Sequence, residues 1–261
     1  MKKLGVVGHF GFGHDLLNGQ TIKVKILFQE FQKQLGTENT MAVDTHGGAK
    51  KVPAMIANTI KMFRQCENCM VLPAYKGVLI FTPLFSVLNK IYHRKTYYIV
   101  VGGWLDSYLD KYKWLEKQLK NYTAICVETT TMKKALEKRG FQNIELMKNC
   151  KALQKFSFEE LPHSFTEPYA LCTFSRVMKE KGIENLINAI KEVNEKFGSV
   201  VFTLDIYGEV WKDYTHEFEE LQKNFPEYIK YKGSVNYDES VETLKNYFAL
   251  VFPTLFYTEG I

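Results

Sequence analysis

Short apolar runs alternate with longer amphipathic segments along most of this chain. The short runs are rich in β-branched and aromatic residues, which predicts buried strands. The longer segments carry apolar residues at three- and four-residue spacing, which predicts helices with one buried face. The predicted strands are Leu4–Gly8, Thr40–Val43, Cys69–Pro73, Val78–Phe81, Tyr97–Val101, Ala124–Val127, Ile144–Met147, Tyr169–Phe174, Val200–Tyr207, Ile229–Lys232 and Ala249–Phe252. The predicted helices include Thr21–Leu35, Ala54–Phe63, Asp106–Leu119, Ile183–Val193, Tyr214–Phe225 and Ser240–Tyr247.

Regular alternation of strands and helices predicts an α/β protein with doubly wound parallel sheets. The alternation breaks over residues 156–168, a polar segment with Pro162 and Pro168 that reads as a linker. We therefore expect two domains, residues 1–160 and residues 161–261. The second is short for a doubly wound domain and ends directly after a strand, so we expect it to be incomplete.

Composition places the chain among ordinary globular proteins, with 46% hydrophobic and 24% charged residues. No apolar run reaches the ~18 residues of a membrane helix, and the five cysteines do not form a disulfide framework. We expect a cytoplasmic protein. Residues 1–160 carry a net charge of +11 and residues 161–261 one of −6. The basic half favours peripheral contact with the inner face of a membrane. A nucleic-acid partner is not expected, because aromatic and basic residues do not interleave on a strand.

The clearest candidate chemistry lies between the strand at Tyr169–Phe174 and the helix that follows it. The connecting loop holds Arg176 and Lys181 and ends at Gly182. Open parallel sheets bind ligands at the carboxyl ends of their strands, and the following helix adds unpaired N–H groups. This combination suits a diphosphate, although a solvated basic loop would show the same residues.

The first half offers weaker candidates. The glycine-rich loop from His9 to Gly19 does not have the spacing of a dinucleotide-binding motif. His9, His14 and His46 lie in predicted loops and could serve an acceptor, although ordinary surface histidines are the simpler explanation for each. Trp104 suits either packing or stacking against a sugar. We see no residues at metal-ligand spacing.

Four segments of the second half together resemble glycosyltransferase family 4, the large retaining group with the GT-B fold. They are F-S-R-V-M-K-E-K-G, I-Y-G-E, Y-K-G-S-V and V-F-P-T-L-F-Y-T-E-G-I. The glycine-rich first loop and the V-G-G-W-L segment are similar to the family's first half, although more loosely. The resemblance implies two Rossmann-like domains that face each other across a cleft.

The resemblance also implies roles for individual residues. Arg176 and Lys181 would hold the diphosphate of a nucleotide-sugar donor, and Glu259 would bind the hydroxyls of its sugar. The remaining candidates are Gly208 and Glu209 near the nucleotide base, Gly19 and Gln20 near the donor phosphates, and His9, His14, Gly103 and Trp104 on the acceptor side. The second glutamate of the family's motif would fall beyond residue 261, and Gly102–Gly103 stand where many relatives carry a histidine.

The function that this resemblance implies is a retaining glycosyltransferase. It would use no cofactor and would move a sugar from a nucleoside-diphosphate donor to a saccharide or lipid-linked acceptor, in polysaccharide or glycolipid assembly at the cell surface. Two alternatives stay open. One is a truncated, non-catalytic remnant that still binds nucleotide, and the other is a nucleotide-sugar epimerase of the same architecture.

Overall fold

The computed structural model describes residues 1–14, 19–73, 75–149, 157–162, 164–236 and 239–255. The described part divides into two compact units, one up to residue 149 and one from residue 157. Each unit has its own parallel sheet and its own core. The domain boundary that we expected after residue 160 stays a prediction.

The first unit is built on a six-stranded parallel sheet with strand order β2-β1-β3-β4-β5-β6. The strands are β1 Lys2–Gly8, β2 Thr40–Asp44, β3 Cys66–Leu72, β4 Lys95–Ile99, β5 Ala124–Val127 and β6 Ile144–Leu146. The helices are α1 Gly19–Leu35, α2 Val52–Gln65, α3 Val78–Tyr92, α4 Leu105–Lys111, α5 Trp114–Leu119 and α6 Thr130–Lys138.

Successive residues of a strand point to opposite faces of its sheet, and both faces of this sheet are covered. Val6 packs with Val24 and Phe28 of α1 on one face. Val7 packs on the other face, where Met62 of α2 and Phe85 of α3 lie. Helices on both faces make the sheet doubly wound, as the sequence predicted.

The second unit repeats this plan on a four-stranded parallel sheet with strand order β10-β7-β8-β9. The strands are β7 Tyr169–Phe174, β8 Phe202–Tyr207, β9 Ile229–Gly233 and β10 Ala249–Leu250. The helices are α7 Ile183–Phe197, α8 Thr215–Lys223 and α9 Ser240–Leu244. One face packs the predicted apolar stripe of α7 against β8.

Two predicted elements are wrong. The strand expected at Val78–Phe81 is the first turn of α3. Its buried residues Val78, Phe81, Thr82 and Phe85 follow helical spacing. The apolar residues between them, Leu79, Ile80 and Leu84, hide this period in the sequence, and Pro83 reads as a helix breaker. The helix expected over Asp106–Leu119 is two helices, α4 and α5, because the backbone leaves helical geometry at Tyr112.

The described helices differ in apolar content, and α3 is the most apolar among them. None of the described helices, α3 included, has both the length and the apolar composition needed to cross a membrane.

Candidate functional site

The loop that carries Arg176 lies at the topological switch point of the second sheet. β7 pairs with β8 on one side and with β10 on the other, so the chain order reverses beside β7. Adjacent loops diverge at such a point and open a crevice at the carboxyl ends of the strands. The loop of residues 175–182, which we call the basic turn, therefore begins where a ligand is expected to bind.

The main chain fixes the basic turn to the segment that follows β8. Ser175 donates its N–H to the carbonyl of Tyr207 at 3.1 Å. The Val177 N–H donates to the carbonyl of Glu209 at 2.9 Å, and the Trp211 N–H donates to the carbonyl of Val177 at 2.9 Å. The backbone on both sides of Arg176 is therefore held in place, as a binding loop requires.

Gly208 allows the close approach of these two segments. Its φ is +134°, and a β-carbon at this position would lie 1.8 Å from the carbonyl oxygen of Ser175. The Gly208 N–H donates to the carbonyl of Gly233 at 2.9 Å, and its own carbonyl accepts from the Tyr231 hydroxyl at 2.8 Å. The segment after β8 is thus fixed from both sides, and a side chain cannot be accommodated there.

The segment after β10 closes the other side of the basic turn. Gly182, just before α7, has φ +67°, and a β-carbon on it would lie 2.1 Å from the carbonyl oxygen of Pro253. The Leu255 N–H donates to the carbonyl of Glu180 at 2.9 Å. Strand ends β7, β8 and β10 therefore converge around the basic turn.

The two predicted cations differ in their surroundings. Arg176 is exposed, and its guanidinium carbon lies 5.1 Å from the ring centroid of Trp211. A ring in this position stabilises the cation and orients its planar donor fork. Lys181 is half-buried, and Glu209 is exposed. Sequence reasoning missed Trp211, although a tryptophan close behind the I-Y-G-E segment was a signal for it. Glu259 lies outside the described residues.

In the first unit, the glycine-rich loop begins at the matching switch point, where β1 lies between β2 and β3. Gly19 is the first residue of α1. Apart from its chain neighbours and its own helix, no atom of the described residues lies within 4 Å of where its β-carbon would stand. The Gln20 side-chain amide donates to the carbonyl of Leu72, at the end of β3, at 3.0 Å. Gln20 thus connects α1 to β3, and the backbone at Gly19 is open for close approach of a ligand.

Asp44 holds the start of the glycine-rich loop, and sequence reasoning missed it. Its carboxylate accepts from the N–H groups of Phe10 at 2.9 Å, Gly11 at 3.2 Å and Phe12 at 3.0 Å. It also accepts from the N–H of His46 at 2.9 Å. Burial raises the pKa of Asp44, but these four donors outweigh it and the net shift is downward. The carboxylate is therefore a structural anchor and has little capacity left for a ligand.

The structure brings together the three histidines that the sequence singled out. His9 Nδ1 lies 2.7 Å from Thr21 Oγ1, and His9 Nε2 lies 3.2 Å from His46 Nδ1. The rings of His14 and His46 are 4.7 Å apart. Burial lowers the pKa of His9 and the nearby His46 lowers it further, whereas Asp44 raises it. We call His9, His14 and His46 the histidine cluster.

A buried ion pair supports the loop after β4. Lys23 of α1 pairs with Glu128, which follows β5, and both side chains are buried. The second carboxylate oxygen of Glu128 accepts from the N–H of Gly102 at 2.9 Å. This contact fixes the backbone directly before Gly103, where a β-carbon would meet no non-neighbouring atom of the described residues within 4 Å. Sequence reasoning did not single out Glu128 as a site residue.

Trp104 belongs to an aromatic group that also includes Tyr75 and Tyr108. Its Nε1 donates to the carbonyl of Val101 at 2.8 Å. The Tyr75 ring lies 5.3 Å from the Trp104 ring and 4.3 Å from the Tyr108 ring. Tyr108 is buried and Trp104 half-buried, whereas Tyr75 is exposed. The open aromatic surface is therefore that of Tyr75, and Trp104 serves mainly as its support.

Among the residues that the structure describes, no group of three or more His, Cys, Asp or Glu side chains is arranged to hold a metal ion. The histidine cluster and Asp44, which are among these residues, therefore do not form such a group.

Comparison with solved structures identifies the fold of this chain. No protein-family model matches the chain, and no curated protein does. Among solved structures, the lipopolysaccharide outer core galactosyltransferase WaaB has TM-score 0.61 at 12% identity, over 97% of this chain and 74% of WaaB. HepE from Anabaena has TM-score 0.59 at 11% identity, over 90% of this chain and 70% of HepE. TarM from S. aureus has TM-score 0.56 at 17% identity, over 77% of this chain and 40% of TarM.

The chain thus spans about 40% of the length of TarM. At such low identity the likeness shows the fold, and it is the GT-B fold that the sequence predicted.

Proposed function

We propose that this chain carries the donor-binding machinery of a glycosyltransferase that uses a nucleoside-diphosphate sugar, and that the enzyme is a retaining one of family 4. The observation that carries the proposal is the basic turn. Two cations, Arg176 and Lys181, stand at the switch point of the second sheet, in a backbone fixed by the segments after β8 and β10.

The solved structures of the same fold support the choice of ligand. HepE was solved with UDP and glucose, and a TarM mutant with fondaparinux, α-GlcNAc-glycerol and UDP. A uridine diphosphate is therefore the first ligand to try for this chain. A saccharide is the corresponding choice for the acceptor.

The chemistry follows from the charge that develops during transfer. As the bond between the sugar and the diphosphate breaks, negative charge grows on the leaving phosphate. Arg176 can offer a two-pronged hydrogen-bond donor to it, and Lys181 a point charge. Cations that are already in position stabilise this charge more in the transition state than in the bound donor, which accelerates the reaction. Gly208 and Glu209 would lie beside the nucleotide.

The acceptor side of the proposal rests on the first unit. Tyr75 offers an open aromatic face at the carboxyl edge of the sheet, supported by Trp104. Aromatic faces of this kind suit the apolar faces of sugar rings. Gly103 and the histidine cluster remain candidates for contacts with acceptor hydroxyls, and Gly19 and Gln20 for contacts with the donor phosphates.

The decisive experiment is calorimetric titration of the protein with UDP and GDP, for the wild type and for variants of the basic turn. A hydrogen bond to a charged group contributes about 1.5–3 kcal/mol, so Arg176→Ala and Lys181→Ala should each weaken binding about tenfold or more. The double variant should weaken it at least about a hundredfold, because both contacts serve the same diphosphate.

Lys196→Ala is the matched control, since Lys196 is an exposed lysine of α7 in the same unit. Unchanged affinity in the double variant, or a wild type that binds neither nucleotide, would refute the proposal. Product analysis with a UDP-sugar alone separates the alternatives. Conversion into a different nucleotide sugar would indicate an epimerase, and binding without any turnover in the presence of acceptor would indicate a non-catalytic module.

A further inference from the structure

An apolar stripe on α3 remains exposed to solvent. Ile80, Val87 and Ile91 are 39%, 57% and 62% exposed. Their spacing of seven and four residues places them on one face of the helix. The opposite face, with Phe81 and Phe85, is buried in the core. The helix is therefore apolar on both sides, whereas a surface helix of a globular protein normally has a polar outer face.

Basic residues surround this stripe. Between residues 50 and 95 the chain has eight Lys and Arg residues and a single acidic one, Glu67. Lys90 lies on α3 itself, beside the stripe. Arg64 of α2 donates from its Nε to the Tyr92 hydroxyl at 3.0 Å, which places its guanidinium beside the last turn of α3. Lys61, on the same helix as Arg64, is exposed.

The helix α5 adds an exposed aromatic residue and several lysines to this surface. α5 packs against α3, and its first residue, Trp114, is exposed. The acidic residues nearby are engaged elsewhere, since Asp106, Asp110 and Glu116 all pair with Arg139. Lysines in and next to α5 are thus not the partners of these carboxylates. They are Lys111, Lys113, Lys117 and Lys120.

We propose that α3 and its flanking helices form a docking surface for an anionic lipid bilayer. The aliphatic side chains of the stripe insert at the boundary between headgroups and acyl chains, and the surrounding cations bind the headgroups. Exposed apolar residues alone would equally suit a protein partner, but the excess of positive charge on α2 and α3 selects a negatively charged surface. The inference goes beyond the proposed function and does not depend on it.

The test is co-sedimentation of the full chain with vesicles of equimolar phosphatidylcholine and phosphatidylglycerol, with pure phosphatidylcholine vesicles alongside. Each cation near an anionic surface is attracted to the headgroups, and each aliphatic group that enters the boundary region adds to the affinity. We therefore expect Val87→Ser/Ile91→Ser, and separately Lys61→Gln/Lys90→Gln, to bind the anionic vesicles at least about tenfold more weakly than the wild type. Salt should weaken wild-type binding, and pure phosphatidylcholine should bind weakly throughout.

The second unit offers matched controls. Phe197 is 67% exposed and Lys196 is exposed on the same helix, so Phe197→Ser and Lys196→Gln should bind vesicles like the wild type. Lys61 and Lys90 lie at the surface, so their variant decides the question even if the serine variant fails to fold.

The proposal would be overturned by a wild type that does not bind anionic vesicles. It would also be overturned if Val87→Ser/Ile91→Ser and Lys61→Gln/Lys90→Gln bound these vesicles as well as the wild type does. A wild-type dimer that becomes a monomer in Val87→Ser/Ile91→Ser, with vesicle binding unchanged, would overturn it in favour of self-association. Titration of the same variants with UDP separates a failure of the membrane proposal from a failure of the proposed function. None of the substituted residues belongs to the basic turn, so UDP affinity should be unchanged in all of them.

Discussion

At the residue scale, the candidate site depends on places where a side chain is missing. Gly208 and Gly182 both have positive φ, and each would place a β-carbon against a main-chain carbonyl of a neighbouring segment. The basic turn can approach the segments after β8 and β10 only because both positions are glycine. The spacing of Arg176 and Lys181 around these contacts is therefore set by backbone packing.

Gly208→Ala should displace the basic turn and weaken UDP binding by about tenfold or more, since a 1.8 Å contact with the Ser175 carbonyl oxygen forces the backbone to move. Gly198→Ala is the control. Gly198 also has positive φ, at +65°, but apart from its chain neighbours no atom in the described part of the chain lies within 4 Å of its would-be β-carbon. Gly198→Ala should therefore lower the free energy of unfolding by only about 1–2 kcal/mol, the strain of an alanine in the left-handed region, and should leave UDP affinity unchanged. Equal loss of affinity in both variants would contradict this account.

The histidine cluster predicts a pH dependence of stability. The pKa of His9 is lowered by burial and by His46, against the opposing effect of Asp44, while Lys25 lowers it slightly. A base with a lowered pKa binds its proton more readily in the unfolded chain. Its contribution to stability is therefore complete above its unfolded pKa of 6.5 and is lost as the pH falls through the folded pKa.

We expect the melting temperature of the wild type to fall as the pH is lowered below about 6.5, and the fall to be shallower in His9→Gln. His216 is an exposed histidine of the second unit, so His216→Gln should follow the wild-type profile. Parallel profiles for His9→Gln and the wild type would show that His9 does not carry the effect.

At the element scale, α1 is joined to the loop after β4 by the buried pair of Lys23 and Glu128. The pair takes two charges out of water, and Glu128 compensates by also accepting from the N–H of Gly102. Such a pair positions elements relative to each other more than it stabilises the fold. It fixes Gly102 and thereby the backbone that leads to Trp104.

Lys23→Met should lower the free energy of unfolding by about 3 kcal/mol or more, because it leaves Glu128 buried without its partner. Adding Glu128→Leu should recover part of this loss, so the two single changes are not additive in a double-mutant cycle. Lys33→Met removes the exposed pair with Glu30 and should change stability by less than about 1 kcal/mol. Urea denaturation measures all four variants. Additive losses for Lys23 and Glu128 would show that the pair is not coupled.

At the scale of the whole molecule, the two units share one plan but differ in charge. Each has a parallel sheet whose switch point lies beside its first strand. Residues 1–160 nevertheless carry +11 and residues 161–261 carry −6. Three cations of the first half, Lys61, Arg64 and Lys90, lie on α2 and α3, and these two helices carry no acidic residue. The charge of the first half thus suits the proposed contact with a membrane. The nucleotide binding proposed for the second half would depend on two local cations in an otherwise acidic part of the chain.

The sequence alone was sufficient to predict the parallel α/β architecture, the GT-B fold and the strand, turn and helix that carry Arg176 and Lys181. These depend on local periodicity and on short motifs, which are readable along the chain. The helix α3 was not predicted, because its exposed face is apolar as well as its buried face and the sequence therefore shows no helical period of apolar and polar residues. The roles of the site residues stay predictions.

Only the tertiary structure decided which groups meet at the strand ends. Asp44 binds N–H groups more than thirty positions earlier in the chain, and Arg176 lies over Trp211. Gly182 lies against the segment after β10. Sheet order creates these contacts by bringing the ends of strands that are distant in sequence to one edge. The sequence therefore determined the strands and the loops between them, and the order of the strands in each sheet determined the site.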